Sequence, residues 1–204
     1  MAIAQRIETT RESALPIEAT RRVVAQSTGK EDYPDRHAIA VAACADQLAN
    51  RLALGEWTRR TVVEGALLHD VGKLLVDERI LGKPGPLTAD ERRQINAHPI
   101  EGERMIRRAV DPEVAVVVRA HHERWDGAGY PHGLAAQEIP LGARVVAVAD
   151  AYLAMLEQRP YRARLTQAAA LRELEDGAGS QFDPSCVAAL VSMVDPGRVS
   201  LARA

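Results

Sequence analysis

Aromatic side chains are scarce in this sequence: one Phe, two Trp and four Tyr, or 3% of 204 residues. A sandwich or barrel would draw on Tyr, Phe and Trp in its strands, whereas abundant Ala, Val and Leu suit closely packed helices. Cysteine is nearly absent too. Cys44 and Cys186 each sit among apolar neighbours (AVAACADQL and PSCVAALV) and read as small buried hydrophobes, not as a disulfide or a nucleophile. No run of 18 or more apolar residues occurs, and no basic region followed by an apolar one opens the chain. The expectation is a cytoplasmic protein in a reducing compartment, away from the membrane. A net charge of −2 leaves no basic surplus to hold a nucleic-acid polymer or an anionic bilayer. A small anion remains open, since it needs only local cations. With 47% hydrophobic and 26% charged residues, the chain is neither disordered nor collagen-like, and its length suits one domain.

The apolar residues recur at helical spacing. Residues 1–30 form a flanking segment with one amphipathic piece from Pro16 to about Gln26, broken by Ser-Thr-Gly at 27–29. It could pack on the domain or pair with a second subunit. Residues 31–200 carry the domain itself. From Pro34 to Leu54, the residues His37, Val41, Cys44 or Ala45, Leu48 and Leu52 share one helix face. Gly55 ends that helix, and a second is expected from about Thr58 to Leu75. The stretch LGKPGPLT (81–88) is a loop, and Thr88 with Glu91 makes a capping box for the next helix. There Ile95, His98, Gly102 and Met105 share a face, with a kink or fresh start at Pro99. Asp111-Pro112 opens a helix that reaches His121-His122, and Leu141 to Leu156 is the next. Thr166 and Asp183 look like N-caps of two last helices. The expected fold is all-α: a multi-helix bundle in one domain.

Five of the six histidines (His37, His69, His98, His121 and His122) fall at inward positions of four expected helices, and Asp70 and Asp150 join them. Taken singly, each has a bland reading: a lone core histidine is usually a hydrogen-bonded residue, and Asp150 could pair with Arg144 or Arg162. The count carries the argument. His132, in the turn after Tyr130-Pro131, reads as a solvated loop residue. Mixed imidazole and carboxylate donors suit Fe, Mn or Zn, not Mg or Ca, and this many suit two ions better than one. Such a pair, about 3.5–4 Å apart, clamps a phosphoryl group and lowers the pKa of a bridging water to about 7.

The motifs HDVGK (69–73), ILGKPGPLT (80–88), His98 followed by Gly102, HHERWDGAGYPHGL (121–134), IPLGARVVAVAD (139–150) and RPYR (159–162) closely resemble those of the HD-GYP domains. These form a subgroup of the HD metal-dependent phosphohydrolases that hydrolyses cyclic di-GMP. The resemblance covers about residues 35–190. It implies an HD-type bundle with the metal site in its core, and metal ligands His37, His69, Asp70, His98, His121, His122 and Asp150. It also implies two divalent transition-metal ions, Fe or Mn first, with Zn, Ni or Co as alternatives. Asp70 would bridge the ions and help position the attacking hydroxide, and Lys73 would stabilise charge on a phosphate oxygen. Arg159 and Arg162 would take the second phosphate or a guanine edge, and Tyr130 belongs to a turn that shapes the pocket wall.

Two departures from the family pattern stand out. Three-metal members carry a Glu four residues before the first His, where this chain has Tyr33, so two metals and the linear product pGpG are expected. Leu153 and Leu156 replace a common Asp and Thr, which thins the polar contacts of the substrate pocket. The alternatives are hydrolysis of another nucleotide such as cyclic GMP-AMP, or a module that binds metal and nucleotide and signals by protein contact. The N-terminal helix and the Gly-Tyr-Pro turn are the candidate surfaces for a second copy or a regulatory partner.

Overall fold

The computed structural model describes residues 16–28, 33–158 and 164–197. Ten α-helices are formed there: α1 (Ile17–Thr28), α2 (Arg36–Arg51), α3 (Glu56–Leu68), α4 (Glu78–Leu81), α5 (Ala89–Asn96), α6 (His98–Ile106), α7 (Pro112–Ala120), α8 (Leu141–Leu156), α9 (Gln167–Asp176) and α10 (Pro184–Val194). Two 3-10 turns, Val71–Leu75 and Ala136–Glu138, connect them. Among the described residues no strand forms, and the β-type pairing is limited to two isolated bridges. No helix there is long and apolar enough to cross a membrane.

The helix starts follow the caps in the sequence. Asp35, Asp111, Thr166 and Asp183 each accept a hydrogen bond from a backbone N–H of the first turn, and Thr88 and Glu91 complete the capping box. Two boundaries differ from expectation: α1 continues through Ser27 and Thr28, where a break was expected, and α3 stops early. The helix expected to run to Leu75 ends at Leu68, Asp70 leaves helical geometry (φ −98°, ψ 6°), and Val71–Leu75 continues as a 3-10 turn. The reason is packing. A Cβ on Gly72 would lie 2.0 Å from the carbonyl oxygen of His98 and 2.7 Å from the amide of Gly102. The chain turns because it presses its bare backbone onto α6.

Two main apolar clusters hold the helices, and a third, small one joins Ala120, Ile139 and Ala143. The larger is built on α2, α3, α8, α9 and α10, with Val41, Leu48, Leu67, Val145, Leu171 and Leu190 fully or almost fully buried. Cys44 and Cys186 lie in it as free, buried thiols. The smaller joins Val24 of α1 and Tyr33 to Leu68, Val71, Ile106, Val114 and Val118. Helix α1 therefore packs on the rest of the chain through Val24. The seam between the clusters passes Leu68, one residue before His69.

Arg144 of α8 ties its helix to the start of α10. Its guanidinium lies 2.6 Å from the Asp183 carboxylate, which is 4% exposed, donates to the Ile139 carbonyl and sits 5.8 Å above the Trp125 ring. Removing one partner of such a pair strands the other charge. Asp183→Ala should therefore lower stability by about 3–5 kcal/mol, the N-cap loss included, measured as a reduced urea midpoint.

Candidate metal centre

Seven side chains converge where the clusters meet. His37 comes from the first turn of α2, His69 and Asp70 from the end of α3, His98 from the start of α6, His121 and His122 from the end of α7, and Asp150 from the middle of α8. Their donor atoms form two groups, Asp70, His98, His121 and His122 in one, and His37, His69 and Asp150 in the other. Within each, the ligand atoms lie within 4.8 Å of one another. His132 is outside both, exposed in the turn.

The rings are aimed by their own helices. Nδ1 of His69, His98 and His121 lies 2.8, 2.7 and 2.7 Å from the carbonyl oxygens of Ala66, Ile95 and Val118, each three residues back. A carbonyl can only accept, so each Nδ1 carries the proton and Nε2 faces inward. Nε2 of His98 and Nε2 of His121 then face each other at 3.3 Å. Two inward lone pairs at that distance repel unless an electrophile lies between them, and the spacing suits two nitrogens roughly 2.1 Å from one ion. Nε2 of His69 and Oδ1 of Asp70 are likewise buried without a hydrogen bond. The donor set fits a divalent metal on these grounds.

Asp70 divides its two oxygens between the groups. Oδ1 is 3.2 Å from Nε2 of His98 and 4.0 Å from that of His121, while Oδ2 is 3.4 Å from Nε2 of His69 and 2.6 Å from Nζ of Lys73. Asp150 does not pair with Arg144, which is held by Asp183. Its Oδ1 meets Nε2 of His37 at 2.9 Å. Tyr130 stacks on His122 with centroids 4.8 Å apart and rings 27° from parallel.

The electrostatics differ across the site. Burial, then the neighbouring His98, pushes His122 down to about 3, and burial with His122 and His69 holds His121 well below its usual range. Both imidazoles are neutral at neutral pH. Burial would depress His37 as well, but its hydrogen bonds to Asp150 and Glu157 outweigh that and lift it to about 9. Burial would raise Asp70, yet His69, His98 and Lys73 hold it well below the usual carboxylate range. Tyr33 goes the opposite way. Burial and the Asp70 and Asp35 charges raise its phenol well above 10, and the hydroxyl is buried without a partner. The phenol is therefore protonated at neutral pH in the metal-free protein.

Two carboxylates matter here that the sequence did not single out. Glu123, 4% exposed, accepts from the amides of His132 (2.7 Å) and Leu134 (3.1 Å), so it clasps the Gly-rich turn to the histidine pair. Gly129 completes the clasp, since a Cβ there would lie 2.3 Å from the Arg124 amide. Glu157 holds Nδ1 of His37 at 2.8 Å. A signal for Glu123 was present, an acid beside a turn with free amides. For Glu157 there was none beyond its place after α8. Leu153 is 9% exposed and packs into the larger cluster, with Leu156 packed against it, so both serve hydrocarbon packing. Arg159 and Arg162 lie outside the described residues.

Comparison with known proteins fits this geometry. A family model described as "HD domain" matches residues 10–186. A cyclic di-GMP phosphodiesterase response regulator of Xanthomonas campestris is 42% identical over 150 residues, covering 72% of this chain and 40% of that protein. A 3'3'-cGAMP-specific phosphodiesterase of Vibrio cholerae is 39% identical over 163 residues, covering 79% and 35%. Among solved structures, an HDGYP protein of Bdellovibrio bacteriovorus aligns with a TM-score of 0.64 at 20% identity, over 80% of this chain and 53% of that one. The fold and the site define an HD domain, and the chain belongs to that family. Within it, the chain belongs to the HD-GYP group. It spans about two fifths of the length of the curated relatives it matches.

Two outcomes follow for the metal-stripped protein. His37 binds a proton in the folded state that the unfolded chain releases above about pH 6.5, so its contribution is lost as pH climbs through about 9. His122 stays neutral where the unfolded chain would protonate, so its contribution is lost as pH falls from about 6.5 towards about 3. Calorimetry under chelator should show maximal Tm near pH ~6.5, and a Tm rising steadily from pH 7 to 9 would contradict this assignment. Separately, Gly72→Ala should cost at least ~2 kcal/mol, because both atoms it meets are backbone of the α6 turn that carries His98. It should also reduce metal content measured by mass spectrometry.

Proposed function

We propose that this chain is a metal-dependent phosphodiesterase that opens cyclic di-GMP to linear pGpG, using His37, His69, Asp70, His98, His121, His122 and Asp150 to hold two divalent ions. The observation that carries the reading is the division of Asp70, whose oxygens face separate groups of imidazoles across the seam. Borderline nitrogen donors with two carboxylates favour Fe or Mn, with Zn, Ni or Co also compatible. Two ions would neutralise the phosphate and supply water with its pKa lowered to about 7.

Hydrolysis adds one water across one P–O bond: the oxygen goes to phosphorus and a proton goes to the departing ribose oxygen. One cut opens the ring. Lys73 places its Nζ beside Asp70, 36% exposed, where it can meet a phosphate oxygen as charge develops. Tyr130, stacked on His122, forms a wall of the pocket. Arg159 and Arg162 are assigned to the second phosphate or a guanine edge, where a guanidinium fork suits bidentate contacts. Tyr33 supports a centre of two ions rather than three, and so a product left at pGpG instead of two GMP. The second reading is cyclic GMP-AMP as substrate. It is favoured by the likeness to the Vibrio cholerae relative.

The test is anaerobic purification, metal quantification and chromatography of cyclic di-GMP beside Asp70→Ala. The expected result is two ions per chain and pGpG as product, with turnover lowered by more than ~100-fold in the variant, beyond the range of an outer-shell change. Turnover of cyclic GMP-AMP alone would select the second reading. Tight nucleotide binding without turnover, with Fe, Mn and Zn each tried, would overturn the enzymatic one.

A further inference from the structure

The four best-described imidazoles of the site are not all oriented by the same device. His69, His98 and His121 each give their Nδ1 proton to a carbonyl three residues earlier, supplied by the helix that precedes them. His37 has no such helix. It is the second residue of α2, with Asp35 as N-cap, so the residue three positions back, Pro34, lies before the helix begins. A ring at a helix N-terminus must find its second partner elsewhere.

That partner is Glu157, the residue at which α8 stops. Its Oε1 lies 2.8 Å from Nδ1 of His37, and its own backbone amide is tied to the Leu153 carbonyl at 3.1 Å. The opposite nitrogen, Nε2, meets Asp150 Oδ1 at 2.9 Å, seven residues earlier on the same helix. One face of α8 thus brackets the ring. Asp150 stands with His37 and His69 in one donor group, and Glu157 stands outside it. A carboxylate that takes the outer N–H of a ligating imidazole fixes its tautomer and raises its basicity as a donor.

We infer that Glu157 is a positioning residue for the metal held by His37, His69 and Asp150, keeping the Nδ1 proton of His37 outward so that Nε2 stays free to bind. The inference rests on the two-metal reading above and adds a residue to it. It also makes the two halves of the centre unequal. His98 and His121 in one half, and His69 in the other, rely on backbone carbonyls, which substitution cannot remove, whereas His37 relies on one side chain.

The experiment is chelator competition with Mn(II) or Zn(II) alone on the full chain, comparing Glu157→Ala and Glu157→Gln with the unmutated protein. The Ala variant should keep one ion at unmutated affinity and bind the other ~10–100-fold more weakly. The Gln variant, whose amide oxygen can still accept from Nδ1, should recover most of the loss. Nitrogen NMR of the His37 ring, read on the Zn(II)-loaded protein, should show the Nδ1 proton in the unmutated and Gln forms and its loss or exchange in the Ala form. Equal affinities for both ions in all three proteins would overturn the inference, as would an Ala variant weakened equally at both ions. An unmutated chain that binds fewer than two ions sinks the two-metal reading instead. In that case the ring spectrum still decides the matter, and an Nδ1 proton unchanged in the Ala variant overturns the role of Glu157.

Discussion

The bonds from Nδ1 of His69, His98 and His121 to the carbonyls of Ala66, Ile95 and Val118 decide which nitrogen of each ring is left for the site. Backbone carbonyls have no alternative protonation state, so the tautomers are fixed by the fold itself. The inward nitrogens then crowd together, with 3.3 Å between His98 and His121, and the arrangement is costly until something electron-poor enters. Burial makes the cost larger and the selectivity sharper. His121 and His122 are held neutral, so a metal need not displace a proton from either.

The remainder of the chain holds those rings in register. The larger apolar cluster fixes α2 and α8, which carry His37 and Asp150, and the smaller fixes α6 and α7, which carry His98 and the His121-His122 pair. Asp70 sits at the seam and faces both. Close backbone contacts set the spacing across it. Gly72 lets the turn after Asp70 lie against His98, and Gly129 with Glu123 lets the Gly-Tyr-Pro turn fold back on the pair. Each contact leaves no room for a methyl group, so small side-chain changes at these positions act directly on ligand geometry.

Much of this was legible in the residue order, since it depends on local chemistry. Caps at Thr88, Asp111, Thr166 and Asp183 declared the helix starts, and the limits of α8 could be read from its apolar run. The all-helical fold followed from the same patterns. What escaped depended on contacts between distant segments. The early end of α3 goes with the contact of Gly72 on α6, and Gly72 by itself does not say which distant segment it meets. Glu157 and Glu123 gain their roles only when α8 meets α2 and when the turn closes on α7. Leu153 was expected in the pocket and packs in the core, because a helix buried on most of its sides turns that position inward.

His69 and His121 are the residues at which α3 and α7 stop, so two helices direct their carboxyl ends at the same small volume. The carboxyl ends of α3 and α7 place partial negative charge there, while the N-termini of α2 and α6, at His37 and His98, place partial positive charge beside it. Helix ends of opposite sign therefore meet around the donor atoms, so the pull on a cation rests on the carboxylates of Asp70 and Asp150 and not on the backbone.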